Sequence, residues 1–210
     1  MIDLPLLKSS IITFFVVIVS LTVHELSHGF VSFLLGDDTA KKMGRLTLNP
    51  LKHLDPIGAA CMFFFHFGWA KPVPINPNNY KNFRFGTVLV SLAGPASNLL
   101  MAFIATFLYV FSVYKGFVAE GIAVEIFVTF ICLNIGLAVF NLIPVSPLDG
   151  SKVLLSVLPE SLYRKVLRYE RYGYFLLIIL MSFGVLSGFI DTCINFILNR
   201  FLELFIIIIF

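Results

Sequence analysis

The chain has 210 residues, 59% of them hydrophobic and 13% charged, with mean hydropathy +0.95 and a formal net charge of +3. That balance excludes a soluble domain with one core and predicts an integral membrane protein. The small positive charge is no nucleic-acid footprint, because the basic residues lie between apolar runs and read as topology signals.

The first apolar run, Ile11 to Leu35, follows Lys8 near the amino terminus but is too long for the core of an export signal and lacks a small-residue cleavage site. In its middle stand His24, Glu25, Leu26, Ser27 and His28. On a helix, positions i and i+4 share a face, so His24 and His28 can present two imidazole nitrogens to one zinc ion, with Glu25 beside them as a base. Ionisable groups within a spanning segment cost a few kcal/mol or more each near its centre and are functional by default. The bland alternative is a set of polar groups hydrogen-bonded within a helix bundle.

The second run, Ile57 to Gly68, extends only about 18 Å as a helix, against a hydrocarbon core of about 30 Å. It is expected to enter and leave on one side. Under that reading the connections 36–55, 69–85 and 144–173 share a side and carry twelve of the fifteen Lys and Arg, whereas a spanning segment would split them nine to six. The positive-inside rule favours the lopsided arrangement, with both termini outside and the basic connections in the cytoplasm. The histidine pair then lies about three turns below the cytoplasmic end of its span.

Three further runs follow, Gly86 to Val113, Ile122 to Ile143 and Tyr174 to Ile190. The tail from Thr192 to Phe210 is apolar but interrupted by Asn195, Asn199, Arg200 and Glu203, and reads either as an extension of the last span or as an interfacial helix. Gly184 and Gly188 have the G-x-x-x-G spacing of close helix contact, which reads as packing inside the monomer rather than dimerisation. Cys61, Cys132 and Cys193 are odd in number, widely spaced and set in apolar stretches, so they read as small buried hydrophobes. The expected fold is all-α and polytopic, with about four transmembrane helices, a membrane-re-entrant segment and room for short β-strands. It forms a single integral-membrane domain over 1–210, with its core at about 11–158 and a C-terminal span and tail at 174–210.

A catalytic zinc keeps three protein ligands and one open position. The best candidate for the third is Asp149, in Asn141-Leu142-Ile143-Pro144-Val145-Ser146-Pro147-Leu148-Asp149-Gly150, where two prolines and a glycine break an apolar segment. Non-helical backbone at membrane depth is tolerated only against protein or a water-filled cavity. The alternative is a plain Asp-Gly turn at the surface. His53, His66, Asp37, Asp38 and Asp55 compete for the role. Asp37 and Asp38 sit at the end of the same helix as the histidines, the others in connections or the short hairpin, and all five read as solvated or structural.

His24 to His28, then Gly68-Trp69-Ala70-Lys71-Pro72-Val73-Pro74-Ile75-Asn76-Pro77, then Ser91-Leu92-Ala93-Gly94-Pro95-Ala96-Ser97-Asn98, then Asn141 to Gly150 resemble the ordered motifs of the site-2 protease family of intramembrane zinc metalloproteases. The resemblance covers about residues 20–155 and is specific, because four motifs agree in order and spacing. It implies that His24, His28 and Asp149 are zinc ligands, that Glu25 is the general base, and that Asn141 holds the substrate or stabilises the transition state. It also matches residues 57–77 to the family's re-entrant segment. Many members carry an added PDZ or CBS domain for which this chain has no room, so it is similar to the short branch. Substrate choice would then be restricted by the membrane core, a regulatory membrane partner or prior cleavage of the substrate.

The resemblance implies one zinc ion per chain, single-span membrane-protein substrates within the lipid bilayer, and a multi-pass place in a bacterial-type plasma membrane with the active site toward the cytoplasm. A helical substrate must unwind before its carbonyl can be attacked. Trp69 to Asn76, rich in proline, has the extended character to stabilise the unwound peptide by strand addition, or is a plain connecting hairpin. The rival function is a metal-ion or proton transporter, which would show inverted repeats and corresponding broken helices. The sequence has no such symmetry.

Overall fold

The structure, a computed structural model, describes residues 4–65, 68–118, 120–159, 162 and 170–209. In chain order its helices are α1 (Leu4–Leu34), α2 (Thr39–Lys42), α3 (Pro56–Phe65), α4 (Phe83–Tyr114), α5 (Ile122–Leu142), α6 (Asp149–Val157), α7 (Glu170–Ser182) and α8 (Val185–Ile209). Apolar runs become helices because backbone groups in hydrocarbon must be bonded internally. Among the described residues, four helices are long and apolar enough to cross a membrane: α1 from Leu7, α4, α5 and α8.

Helix α4 is the central post. The Asn82 side chain accepts from the Phe85 N–H at 3.1 Å and caps its start, and α1, α5, α6 and α8 all pack on it. Ala102 and Ala105 give Ile131 and Ile135 of α5 and Ile197 and Phe201 of α8 room to approach. Lys8 Nζ lies 2.8 Å from Glu125 Oε2, which places the start of α1 beside the start of α5. Phe201 packs on Phe103, and Phe205, one turn later, on Phe103 and Phe107, so α8 runs in the same direction as α4. Both ends of the described chain therefore lie at one end of the bundle, and the His24 region lies toward the other.

The short second run behaves as its length demands. Helix α3 is 10 residues, about 15 Å, and its approach and exit are neighbours. Leu54 and Ala70 form an antiparallel bridge, and the Lys71 N–H donates to the His53 carbonyl at 2.8 Å. A Cβ on Gly58 would fall 2.2 Å from the Trp69 carbonyl oxygen, so glycine is required where the returning chain crosses its own start. That bridge is the extent of β structure among the described residues.

The C-terminal region corrects the expectation of a last span at 174–190. Gly184 takes a left-handed φ of +69° and ends α7, and the helix of spanning length is Val185–Ile209. The polar residues of the tail do not interrupt it: Arg200 and Glu203, one turn apart, pair at 2.7 Å. Gly184 thus stands in the break, and a Cβ on Gly188 would meet nothing within 4 Å. Among the described residues, the two glycines form no packing face.

Candidate active site

Helix α1 buries a stripe at four-residue spacing, Val16, Ser20, His24, His28 and Ser32, and this stripe turns the two imidazoles inward. They meet edge to face, with ring centroids 4.7 Å apart. Helix α4 lies directly against them at Gly94, where a Cβ would stand 2.5 Å from His24 Nε2 and 2.6 Å from His28 Nε2. One turn earlier, the Val90 carbonyl accepts the Nδ1–H of His28 at 2.6 Å. That bond fixes the tautomer and leaves the Nε2 lone pair of His28 free for a ligand.

The third member arrives from 125 residues away. Helix α5 ends at Leu142, Pro144 and Pro147 keep the following residues out of a helix, and α6 begins at Asp149. Gly150 allows that turn, since a Cβ there would fall 2.2 Å from the Leu142 carbonyl oxygen. Asp149 is buried, not part of a surface turn. Its Oδ2 lies 3.2 Å from His24 Nε2 and 3.1 Å from His28 Nε2, and the two nitrogens are 3.0 Å apart. Ligands about 2.0–2.1 Å from a tetrahedral zinc are separated by roughly 3.3 Å, so the three donors already have nearly the size the ion requires. Among the described residues, this is the group of His, Cys, Asp or Glu side chains able to hold a metal. Lys152, one turn along α6, places Nζ 3.1 Å from the other oxygen, Oδ1.

Glu25 stands outside this triangle, and its Oε2 accepts the Val73 N–H at 2.8 Å. Asn141 occupies the last turn of α5 and donates from Nδ2 to the Leu137 carbonyl at 2.9 Å. Two cavities meet at His24, Glu25 and Asn141. One is an apolar groove of about 480 Å³ between α1 and α5, lined by Val17, Leu21, Leu133, Leu137 and Phe140, with Met62, Trp69 and Met181 beside it. The other, about 190 Å³, is polar and bordered by His28, Ser91, Asp149 and Lys152.

The competing ligands have other work. His53 is buried and bonds the Thr47 carbonyl through Nε2 at 2.8 Å, Asp55 caps the start of α3 by accepting from the Gly58 N–H, and Asp38 pairs with Lys42. His66 lies outside the described residues. Asp37 is fully buried, which makes it structural, the second of the two roles its sequence allows. Burial by itself raises the pKa of its carboxyl, but hydrogen bonds from the Asn76 N–H, Thr39, Asn79 and Ser32 outweigh this and hold it down at about 2. Sequence reasoning misses Gly94, Lys152, Arg45 and the hub role of Asp37. Gly94 stands in the Ser91 to Asn98 motif, but nothing in one sequence says which helix crosses against a histidine pair.

The model of "Peptidase family M50" matches residues 110–184, which include Asn141 and Asp149. Over 169 residues the chain is 45% identical to the "Putative zinc metalloprotease YwhC" of Bacillus subtilis (strain 168), covering 78% of this chain and 76% of that protein. The chain belongs to peptidase family M50. It is also 29% identical over 179 residues to the "Putative zinc metalloprotease Rip2" of Mycolicibacterium smegmatis, covering 78% of this chain and 64% of the relative. Against the Rip2 of Mycobacterium tuberculosis (strain ATCC 25618 / H37Rv) it is 28% identical over 177 residues, with 81% and 66% covered. No solved structure matches it. As an M50 enzyme it is a zinc metalloprotease with helices apolar enough for the membrane, and its buried donor set suits that ion.

Proposed function

We propose that this M50 enzyme hydrolyses peptide bonds within or near the transmembrane segments of membrane-protein substrates, as in regulated intramembrane proteolysis. In this reading His24, His28 and Asp149 hold the zinc and Glu25 is the general base. One observation carries it: the apolar groove between α1 and α5 ends on His24 and Glu25, beside the buried donor triangle. A soluble peptide would gain little from such a groove, whereas an apolar segment unwound from the bilayer would replace lipid contacts along it.

Bound there, zinc supplies an acidified water and polarises the scissile carbonyl. Glu25 takes the proton of the attacking water on its carboxylate and delivers it to the nitrogen of the leaving amine. Asp149 holds its place because Lys152 occupies its second oxygen, and His28 holds its tautomer through Val90. Asn141, at the junction of the two cavities, is positioned to hold the unwound substrate. The polar cavity next to Lys152 faces the basic connections, which the positive-inside rule assigns to the cytoplasm.

The test uses purified protein in detergent, with zinc measured by atomic spectroscopy and cleavage followed on a helical single-span peptide. Glu25→Gln keeps the reach of the side chain but cannot accept the proton. It should retain stoichiometric zinc while turnover falls at least about 10²-fold. His24→Ala should lose metal and activity together. Near-normal turnover by Glu25→Gln, or zinc flux into liposomes without cleavage, would sink the mechanism.

A further inference from the structure

The segment running from Lys71 to Asn76 is held far more firmly than a connecting hairpin needs. Arg45, itself buried, donates from Nη2 to the Lys71 carbonyl at 2.8 Å and the Pro72 carbonyl at 3.2 Å. At the other end Asp37 Oδ2 accepts the Asn76 N–H at 2.7 Å, and its Oδ1 accepts from the Asn79 side chain at 2.8 Å. A cation and an anion are thus both buried to fix the backbone of six residues, an expensive arrangement for a mere connection.

What the two clamps hold between them is Val73. Pro72 and Pro74 carry no N–H, so Val73 supplies the single backbone donor between Lys71 and Ile75, and both prolines keep the residues before them extended. That one N–H is the donor that Glu25 accepts. The approach is close because Gly29, one turn beyond Glu25 on α1, has no side chain. A Cβ there would stand 2.9 Å from both Val73 Cγ1 and Leu46 Cδ2. The Lys71, Val73 and Asn76 N–H groups are all taken inside the protein, which removes them from pairing with a substrate strand.

We propose that residues 71–76 are a fixed strap that orients the base Glu25 through the Val73 N–H, with Arg45 and Asp37 as the positioning residues that keep the strap in register. The inference rests on the metalloprotease reading above. Glu25 has three rotatable side-chain bonds, and a base free to swing spends little time against the attacking water. With Oε2 anchored on Val73, the other oxygen, Oε1, stays available for the proton. Arg45 and Asp37 touch neither substrate nor zinc in this scheme; they act through the strap.

The decisive variant is an amide-to-ester replacement at residue 73, which deletes the N–H and keeps the valine side chain. Wild type, this ester, Arg45→Ala and Arg45→Lys would be compared for zinc content and for kcat and KM on a helical single-span peptide. The expected result is a fall in kcat of about 10- to 100-fold for the ester and for Arg45→Ala, with KM within about twofold and zinc stoichiometric. Arg45→Lys, which keeps a donor able to reach one carbonyl, should recover part of kcat. Independently of turnover, hydrogen exchange at the Val73 amide should be slow in wild type and at least about 10-fold faster in Glu25→Ala and Arg45→Ala. An ester with wild-type kcat would overturn the inference even if Arg45→Ala fails to fold, as would a loss confined to KM or zinc, or unchanged exchange. A zinc-loaded wild type that cleaves nothing would instead overturn the protease reading, and this inference with it.

Discussion

Helices α1 and α8 offer membrane-crossing stretches of 28 and 25 residues, yet only α1 contributes to the buried donor group. In α1, 28% of the apolar window is buried inside the protein, against 6% in α8. The difference lies in where the polar residues fall. Ser20, His24, His28 and Ser32 repeat every four positions and turn one buried face of α1 toward α4, while Asn195, Asn199 and Glu203 of α8 repeat at the same spacing but, with Arg200, stay exposed, Arg200 pairing only with Glu203. Two helices equally suited to lipid are told apart by whether the face carrying their costly side chains is packed against a neighbour.

The sharpest way to break this contrast is to remove the proposed ligand that α1 does not supply. Asp149→Ala should abolish proteolysis and reduce bound zinc while leaving the protein inserted and folded, because most apolar packing is untouched. Normal zinc by atomic spectroscopy would show that the α1 histidines suffice without it. Next in size is Gly94→Ala. Its added Cβ would stand 2.5 Å from His24 Nε2, so α4 must retreat or the imidazoles must rotate, and zinc affinity measured by chelator competition should fall at least about 10-fold.

Lys152→Met keeps an unbranched apolar stem but frees Asp149 Oδ1, and the same competition assay should register a loss of about 10-fold, the lower end for groups that orient a ligand. A smaller effect is expected from acid at the strap. The Asp37 carboxyl titrates at about 2 when folded and near 3.9 when unfolded, so its contribution to stability is complete above about pH 4 and disappears as the pH falls toward 2. Thermal unfolding in detergent should therefore show Asp37→Asn less stable than wild type at pH 6, and the gap should narrow at pH 2.5. At the bottom of the scale stands α8. Gly188→Ala meets open space, and should leave zinc and turnover within about twofold while stabilising the helix by at most about 1 kcal/mol. A large loss of activity there would show that α8 is not the passive partner described.

The re-entrant segment is legible in the sequence, because a twelve-residue run is too short for a bilayer and the basic residues fall on one side only if it turns back. Its exit beside its approach, Ala70 against Leu54, agrees with that reading. The last span is not legible in the same way. Hydropathy runs nearly unbroken from 174 to 210, and only the left-handed turn at Gly184 decides that the long helix starts at Val185. The sequence leaves Asp37, at the end of the histidine helix, as either solvated or structural, and the structure gives it the second role. Its hydrogen-bond partners at Asn76 and Asn79 lie about forty residues away, and no local pattern announces them.

The sequence by itself determined the membrane class, the helix bearing His24, Glu25 and His28, and the broken segment carrying Asp149, since each follows from local spacing, hydropathy and proline chemistry. Only the tertiary structure decided that these parts meet. The approach of Asp149 to within 3.2 Å of both imidazoles depends on α4 passing at Gly94 and on α6 folding back at Gly150, contacts between residues far apart in the chain. The anchoring of Glu25 on Val73 is of the same kind. Hydropathy and periodicity report how one segment meets its solvent, whereas a metal site requires several segments to be packed to within a few tenths of an ångström.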